Sequence, residues 1–298
     1  MPRIALATCR DLPAGDEDAD PLLAACSAAG LDTDWRIWDD PAVDWGSYDL
    51  VVIRATWDYA PRRDEFTAWA ANVPRLANPA DVIAWNTDKI YLRELATAGV
   101  PVVPTAWLTP DAPAGWPDWP DLVVKPTVGA GSQDTARYGP DERDRARAHA
   151  DRLLQAGRGV MIQPYLAGID TAGESMLVHL GGGYSHGFRK EAILRPGESA
   201  ETDALFRPEE VTAQEPTAAE RAVAEAALAA VPGGPDRLLY ARVDLLPDES
   251  GKPVVIELEL TEPSLWLSSA PGSADRLAAA IKAALPPPPP GPGPGRGR

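Results

Sequence analysis

Three acidic side chains on two adjacent strand-like runs carry the strongest chemical signal in the sequence: Asp244 in residues 238–246, and Glu257 and Glu259 in residues 253–260. Side chains alternate along a strand, so Glu257 and Glu259 project from one face, and Tyr240, Arg242 and Asp244 share a face of their own strand. If the two faces coincide, three carboxylates converge, and like charges ~4 Å apart cost about 4 kcal/mol per pair at an effective dielectric near 20. A divalent cation removes that penalty. Magnesium binds through a few carboxylates plus substrate phosphates and keeps waters, which suits two or three acids. The alternative is a solvated acidic strand edge, and Val254, Val255, Ile256, Leu258 and Leu260 argue against it by marking the strand as buried.

A second signal is a lysine at the end of an apolar strand, Lys125 in ValValLysPro, with no acidic neighbour in the local sequence. A cation in such surroundings calls for an anion. The segment that follows, ValGlyAlaGlySerGlnAspThr, holds Gly129, Ala130, Gly131 and Ser132 in a turn whose backbone N–H groups can wrap phosphates. Alone, such a loop is commonplace; next to Lys125 it gains meaning. Arg189 and Lys190 form a cationic pair on a hairpin strand with His186, and the two-residue period separates Arg189 from the other two. A cationic pair beside a carboxylate and a γ-phosphate has electrostatic use, although one of the two is expected to be a solvated strand charge. His149 and His179 have no acid or nucleophile partner nearby and read as structural. ArgAlaThrTrpAspTyr at 54–59 follows a strand and mixes charge with aromatic surface. In an open α/β sheet that position is a substrate lip, or else a Trp and a Tyr covering the sheet end.

The elements that must hold these residues are legible in the patterning. An apolar run at 4–8, an Ala/Leu-rich helix capped by Asp20 with Pro21 in its first turn and Gly30 at its end, and strands at 35–38 and 50–54 imply a parallel α/β layer. A helix from Asn86 presents Leu92, Leu95 and Ala96 on one side and stops at Gly99 and Pro101. A Pro-rich connection leads to a strand at 122–126, a helix at 143–154 and a strand at 160–164. Runs at 174–180 and 184–190 flank three glycines and predict a hairpin. Thr217 and Glu220 form a capping box ahead of an Ala-rich helix, and the paired runs bearing the acids and a last helix near 274–285 follow. The Pro/Gly/Arg tail at 286–298 is expected to be disordered.

Composition bounds the function. A length of 298 residues suggests two or three structural units. A net charge of −16 opposes broad binding to nucleic acid or anionic membrane, so any phosphate site has to be locally basic. No apolar run is long enough to span a bilayer and the first residues lack a signal-peptide core, which points to the cytoplasm. Cys9 and Cys26 read as buried reduced thiols. There is no GxxxxGK[ST], no GxGxxG after a strand and no HExxH, so the common phosphate-loop, dinucleotide and zinc-protease readings fail.

Taken in order, Lys89 before Gly99ValPro, Lys125, the small-residue loop, GlnProTyrLeu at 163–166, and Asp244 with GluLeuGlu at 257–259 resemble the ATP-grasp ligases. The resemblance runs from residue 3 to about 285. It implies an α/β (α+β) fold of three lobes: an N-terminal preceding domain at 1–85, a central lid domain at 86–160 and a C-terminal domain at 161–285, with ATP between two sheets. It also implies roles. Lys89 and Lys125 contact ATP phosphates under the 129–132 loop; Gln163, Tyr165 and Leu166 hold adenine; Asp170 or Glu174 takes the ribose. Asp244, Glu257 and Glu259 hold Mg2+, and Arg242 stabilises acyl-phosphate oxygens with Arg189 and Lys190 in support. Two departures stand out: Glu259 replaces the usual asparagine, and the loop reads AlaGlySerGln rather than carrying a doubled serine.

Within that family, the 54–59 run, AspAspProAlaValAspTrp at 39–45 and GluLeuGluLeuThrGluProSer at 257–264 resemble the cyclo-ligases that form D-cycloserine from O-ureido-D-serine. That implies a small amino-acid-like carboxylate substrate, met by Arg54, Thr56, Trp57, Asp58 and His186, in a monomer or homodimer. The expected reaction is ATP-dependent activation of the carboxylate as an acyl phosphate, then attack by a nitrogen of the same molecule. The rivals are an intermolecular carboxylate–amine ligase, a nucleotide-binding regulatory module without turnover, and a two-lobed small-molecule binding protein. The last would leave Lys125 and the acidic hairpin without purpose.

Overall fold

The computed structural model describes residues 1–111, 115–191 and 211–286; the proline-rich tail from 287 lies outside them. Its strands form three sheets. The first is parallel, in the order β2-β1-β3-β4, from β1 (Arg3–Thr8), β2 (Asp32–Ile37), β3 (Leu50–Ala55) and β4 (Leu76–Ala77). Helices α1 (Ala19–Ala28) and α2 (Arg63–Asn72) connect its strands, and α3 (Ala80–Asn86) and α4 (Tyr91–Thr97) lead away from it. The N-cap of α1 is Asp18 rather than the expected Asp20, and its side chain makes no capping bond. That carboxylate is engaged elsewhere, accepting the N–H groups of Leu265 at 3.0 Å and Leu267 at 2.5 Å. Past the helix, Gly30 takes the left-handed conformation (φ 79°) that lets the chain turn into β2.

The second sheet, antiparallel in the order β5-β8-β6-β7, is built from β5 (Ala106–Leu108), β6 (Leu122–Pro126), β7 (Ala136–Tyr138) and β8 (Val160–Pro164). Helix α5 (Arg143–Gln155) covers it through Ala146, Ala150 and Leu153, which pack on Leu122, Val124 and Ile162. The division expected at 160/161 falls at the first residue of β8 and would separate that strand from the sheet to which it is hydrogen-bonded.

After α6 (Ile169–Ala172), the third sheet runs β11-β10-β9-β12-β13, antiparallel, from β9 (Glu174–Leu180), β10 (Gly183–Lys190), β11 (Val211–Ala213), β12 (Tyr240–Pro247) and β13 (Pro253–Glu259). Helices α7 (Ala218–Ala229) and α8 (Ser273–Ala283) pack against it. Thr217 and Glu220 form the capping box that starts α7.

The first and third sheets share a core: Leu6, Leu22 and Val52 from one side meet Met176, Val178, Tyr240 and Ile281 from the other. Two buried asparagines stitch the same junction. Asn78 donates to the Tyr240 and Leu260 carbonyls and accepts from Leu239 N–H; Asn86 donates to the Leu258 carbonyl and accepts from Leu260 N–H and the Thr261 hydroxyl. These bonds saturate amides that burial would otherwise leave costly. No helix among the described residues is long and apolar enough to cross a membrane.

Candidate active site

A cavity of about 580 Å³ opens between the second and third sheets, with the edge of the first closing one end. One wall comes from β6 and β8 (Val123, Lys125, Gln163), the opposite wall from β9, β10, β12 and β13 (Glu174, Lys190, Arg242, Asp244, Glu257, Glu259). Trp57, Tyr59 and Glu17 close the first-sheet end, and the loop Gly129–Gln133 forms a rim.

Register decides how the acids meet. Arg242 pairs with Glu259 and Asp244 with Glu257 across β12 and β13, so all four side chains share one face of the ladder. Each acid has a cation. Lys89 Nζ lies 3.0 Å from Glu257 Oε1 and also donates to the Gly129 carbonyl at 2.8 Å. The Arg242 guanidinium grips Asp244 with two parallel bonds of 2.8 Å, reaches Glu259 with the same Nη2, and donates to the Ser264 carbonyl at 3.2 Å. Its face rests on Trp266, 5.1 Å from the ring centre.

Burial alone would raise the Glu257 carboxyl, but Lys89 and Lys125 outweigh it and hold the group below the usual carboxylate range. For Glu259, burial together with Asp244 and Glu257 overcomes Arg242 and pushes the carboxyl well above that range. Burial also raises Glu262 to about 7, against the hydrogen bond it receives from Tyr59. The donor set is thus of hard carboxylate oxygens, the kind a magnesium ion takes. Among the described residues, however, no three acids enclose a common point. The set fits an ion that completes its shell with ligand oxygens and water, and does not fit a protein-only cage.

Lys125 is the charge left over. It is 8% exposed and no hydrogen bond or ion pair to it is found among the described residues, while Lys190 opposite is paired with Glu174 at 3.3 Å. Burial pushes its ammonium down to about 8, with Glu257 resisting and Lys89 adding to the fall. A buried cation without a counter-ion, facing a cavity, is an anion site by elementary electrostatics.

Of the residues singled out by sequence, Lys89, Lys125, Gly129, Ala130, Gly131, Ser132, Gln163, Tyr165, Leu166, Glu174, Lys190, Arg242, Asp244, Glu257, Glu259 and Trp57 line this cavity. Six others do not line it. Arg54 is wholly buried behind the wall, 3.6 Å from both Asp16 and Asp18, donating to the Pro263 carbonyl at 3.2 Å, with its guanidinium over Tyr240. Thr56 is buried beside it. Asp58 points away, accepting from Trp38 Nε1 at 2.8 Å and pairing with Arg62 at 2.6 Å. His186 is held between the Ser185 hydroxyl and the Leu265 carbonyl, and burial lowers its pKa. Arg189 projects from the other face of β10 and bonds the Thr171 carbonyl. Asp170 is exposed and accepts from the hydroxyl of Tyr165, which does line the cavity.

Sequence reasoning missed Glu17, Tyr59, Glu262, Ser264 and Trp266, all on the cavity wall. Tyr59, Glu262 and Ser264 lie inside runs that had been singled out as segments. Only Glu17, in an acidic loop following the first parallel strand, had a signal of its own: loops at the carboxyl ends of such strands border the crevice.

Comparison with known proteins agrees with this architecture. Residues 4–78 match the family model described as the N-terminal domain of the D-cycloserine synthetase DcsG. The cycloserine biosynthesis protein DcsG of Streptomyces lavendulae is 39% identical over 288 residues, spanning 91% of this chain and 95% of that one. The crystal structure of D-cycloserine synthetase DcsG superposes with a TM-score of 0.86 at 37% identity, covering 95% of this chain and all of that one. A D-alanine–D-alanine ligase from Bacillus anthracis, solved with ATP, shares the fold with a TM-score of 0.64 at 15% identity, covering 95% and 97% of the two chains.

Proposed function

The chain belongs to the DcsG family of ATP-grasp ligases, and from that premise we propose that it closes O-ureido-D-serine to D-cycloserine at the expense of ATP. The single observation that carries the chemical half of this reading is Lys125, a buried ammonium without a partner among the described residues, set in one cavity with Lys89, Lys190 and the paired acids. Phosphoryl transfer asks a protein for positioning and charge neutralisation more than for covalent chemistry.

In this proposal Lys89 and Lys125 hold the ATP phosphates beneath the 129–132 loop. The wall formed by Gln163, Tyr165 and Leu166 receives the base, and Glu174 the ribose. Asp244, Glu257 and Glu259 would hold magnesium, which supplies charge neutralisation for the transferring phosphoryl group. Arg242 exchanges its grip on Asp244 for the oxygens of the acyl phosphate. A substrate carboxylate oxygen then takes the γ-phosphoryl group and ADP leaves. A nitrogen of the same molecule attacks the acyl carbon and gives up its proton, phosphate departs, and water hydrolyses the carbamoyl group from the ring nitrogen, releasing it as carbon dioxide and ammonia. Trp57, whose Nε1 donates to the Glu262 carbonyl at 3.0 Å, lines the end of the cavity where a small amino acid would lie. The work is done on a small molecule, in the cytoplasm.

The test is mass-spectrometric detection of D-cycloserine from O-ureido-D-serine with magnesium-ATP and no added amine. ADP release that needs a second, amine-bearing substrate would replace cyclisation by intermolecular ligation, and nucleotide binding without ADP release from any carboxylate would reduce the chain to a nucleotide-binding module.

A further inference from the structure

Residues 129–133 run from β6 toward β7 along the cavity rim. The loop holds a conformation that L residues rarely adopt: Gly131, Ser132 and Asp134 have φ values of 59°, 59° and 53°. Glycine takes this freely, but for Ser132 and Asp134 the left-handed region is unfavourable. Such strain persists only where the surroundings over-determine it.

What over-determines it lies outside the cavity. The Asp134 carboxylate sits between two guanidinium groups, Arg152 Nη1 at 3.1 Å from the end of α5 and Arg158 Nη1 from the turn before β8. The other terminal nitrogen of Arg158 donates to the Val128 carbonyl at 3.2 Å, so a single side chain ties the entrance of the loop to its exit. Two tight turns fill the span, Gln133 N–H to the Ala130 carbonyl and Thr135 N–H to the Ser132 carbonyl, both 3.2 Å. Burial works against the charge of Asp134, and the two arginines outweigh it and keep the carboxyl below its ordinary range. A lone exposed ion pair contributes little. Here one carboxylate carries two arginines, and one of them also bonds a backbone carbonyl of the same loop, so the clamp holds the strained turns in place. Neither Asp134 nor Arg158 lines the cavity.

We propose that Asp134 and Arg158 are positioning residues that staple the 129–133 loop into the shape in which its backbone N–H groups gather a nucleoside triphosphate, before the nucleotide arrives. Consecutive N–H groups in and around left-handed residues form an anion-binding concavity, and pre-setting it removes an ordering cost from binding. The inference rests on the ligase reading and deepens it by assigning a source of triphosphate affinity beyond the groups that touch the ligand.

The test is calorimetric titration of the full chain with magnesium-ATP. Asp134→Asn removes the charge at constant size in a residue type that tolerates the left-handed region, Asp134→Gly removes the side chain without imposing strain there, and Arg158→Met keeps the aliphatic stem. Each is expected to raise the ATP Kd about tenfold, with the double variant no weaker than the worse single one and the KM for the carboxylate substrate unchanged. Should Arg158→Met fail to fold, Asp134→Gly and Asp134→Asn decide the matter between them. Wild-type ATP affinity in Asp134→Gly, multiplying losses in the double variant, or a carboxylate KM that rises in parallel would overturn the proposal. A wild-type chain that binds no ATP would instead remove the ligase reading, and this inference with it.

Discussion

A buried ammonium has two opposite responses to pH, and Lys125, which has no counter-ion among the described residues, supplies both. Its pKa in the free protein is about 8, below the 10.5 of an unperturbed lysine, so between those values the unfolded chain binds more protons. The free protein therefore gains stability from this group as pH rises from about 8 toward 10.5. In the proposed site, triphosphate binding needs the charged form, so ATP binding is expected to take up a proton near pH 8, and affinity to fall about tenfold per pH unit above it. Calorimetry in two buffers of different ionisation enthalpy measures that uptake, and an affinity flat from pH 7 to 9.5 would refute it. Glu257 carries a simpler prediction. It is held ionised by Lys89 and Lys125, and Glu257→Gln removes a charge from the proposed phosphoryl-transfer centre while keeping the shape. ADP formation should drop by about 10²–10³-fold, as read by a coupled ADP assay, whereas a regulatory module would change only in binding.

At the level of elements, periodicity and punctuation were enough where a segment is long and punctuated. The hairpin of β9 and β10 around its glycines, the capping box at Thr217, and the β12–β13 pair all form as the residues predict. The capping box gives an isolated test. Thr217 accepts from Glu220 N–H at 3.2 Å and Glu220 returns a bond to Thr217 N–H at 2.7 Å, at an exposed helix end far from the cavity wall. Thr217→Ala should cost about 1 kcal/mol in urea denaturation and leave ATP affinity as it was. Short or irregular elements escaped: the two residues of β4, the three of β5, β7 and β11, and helices α2 and α3. A three-residue strand has too few positions to display a period, and its existence depends on the neighbour that supplies its hydrogen bonds.

For the whole molecule, the deciding feature is a buried charge network that crosses between sheets. Arg54 closes β3, Asp18 precedes α1, and Asp18 holds the N–H groups of Leu265 and Leu267 beyond β13. Burial raises the Asp18 carboxyl, and Arg54 is the main group opposing that rise. Removing Arg54 strands two acids in the interior. Arg54→Ala is expected to lose about 3–5 kcal/mol of stability, seen as a lower Tm, while the folded fraction keeps its KM for substrate. A substrate-binding arginine would show the reverse, a normal Tm with a raised KM.

By itself the sequence determined the chemistry available and the main elements: an unmatched lysine at a strand end, a glycine loop after it, and acids on alternate positions of paired strands. These are local facts, set by spacing of a few residues and by the two-residue period of a strand. Only the tertiary structure decided which side chains face the cavity. Arg54 and Trp57 are three residues apart in one run, yet one lies behind the wall and the other on it. The reason is physical: at the end of a strand the chain leaves its period, and the direction of each side chain is then set by the partners that burial demands, here Asp16 and Asp18 for Arg54 and the Glu262 carbonyl for Trp57. Those partners are more than 30 residues away at the nearest, and no local pattern encodes them.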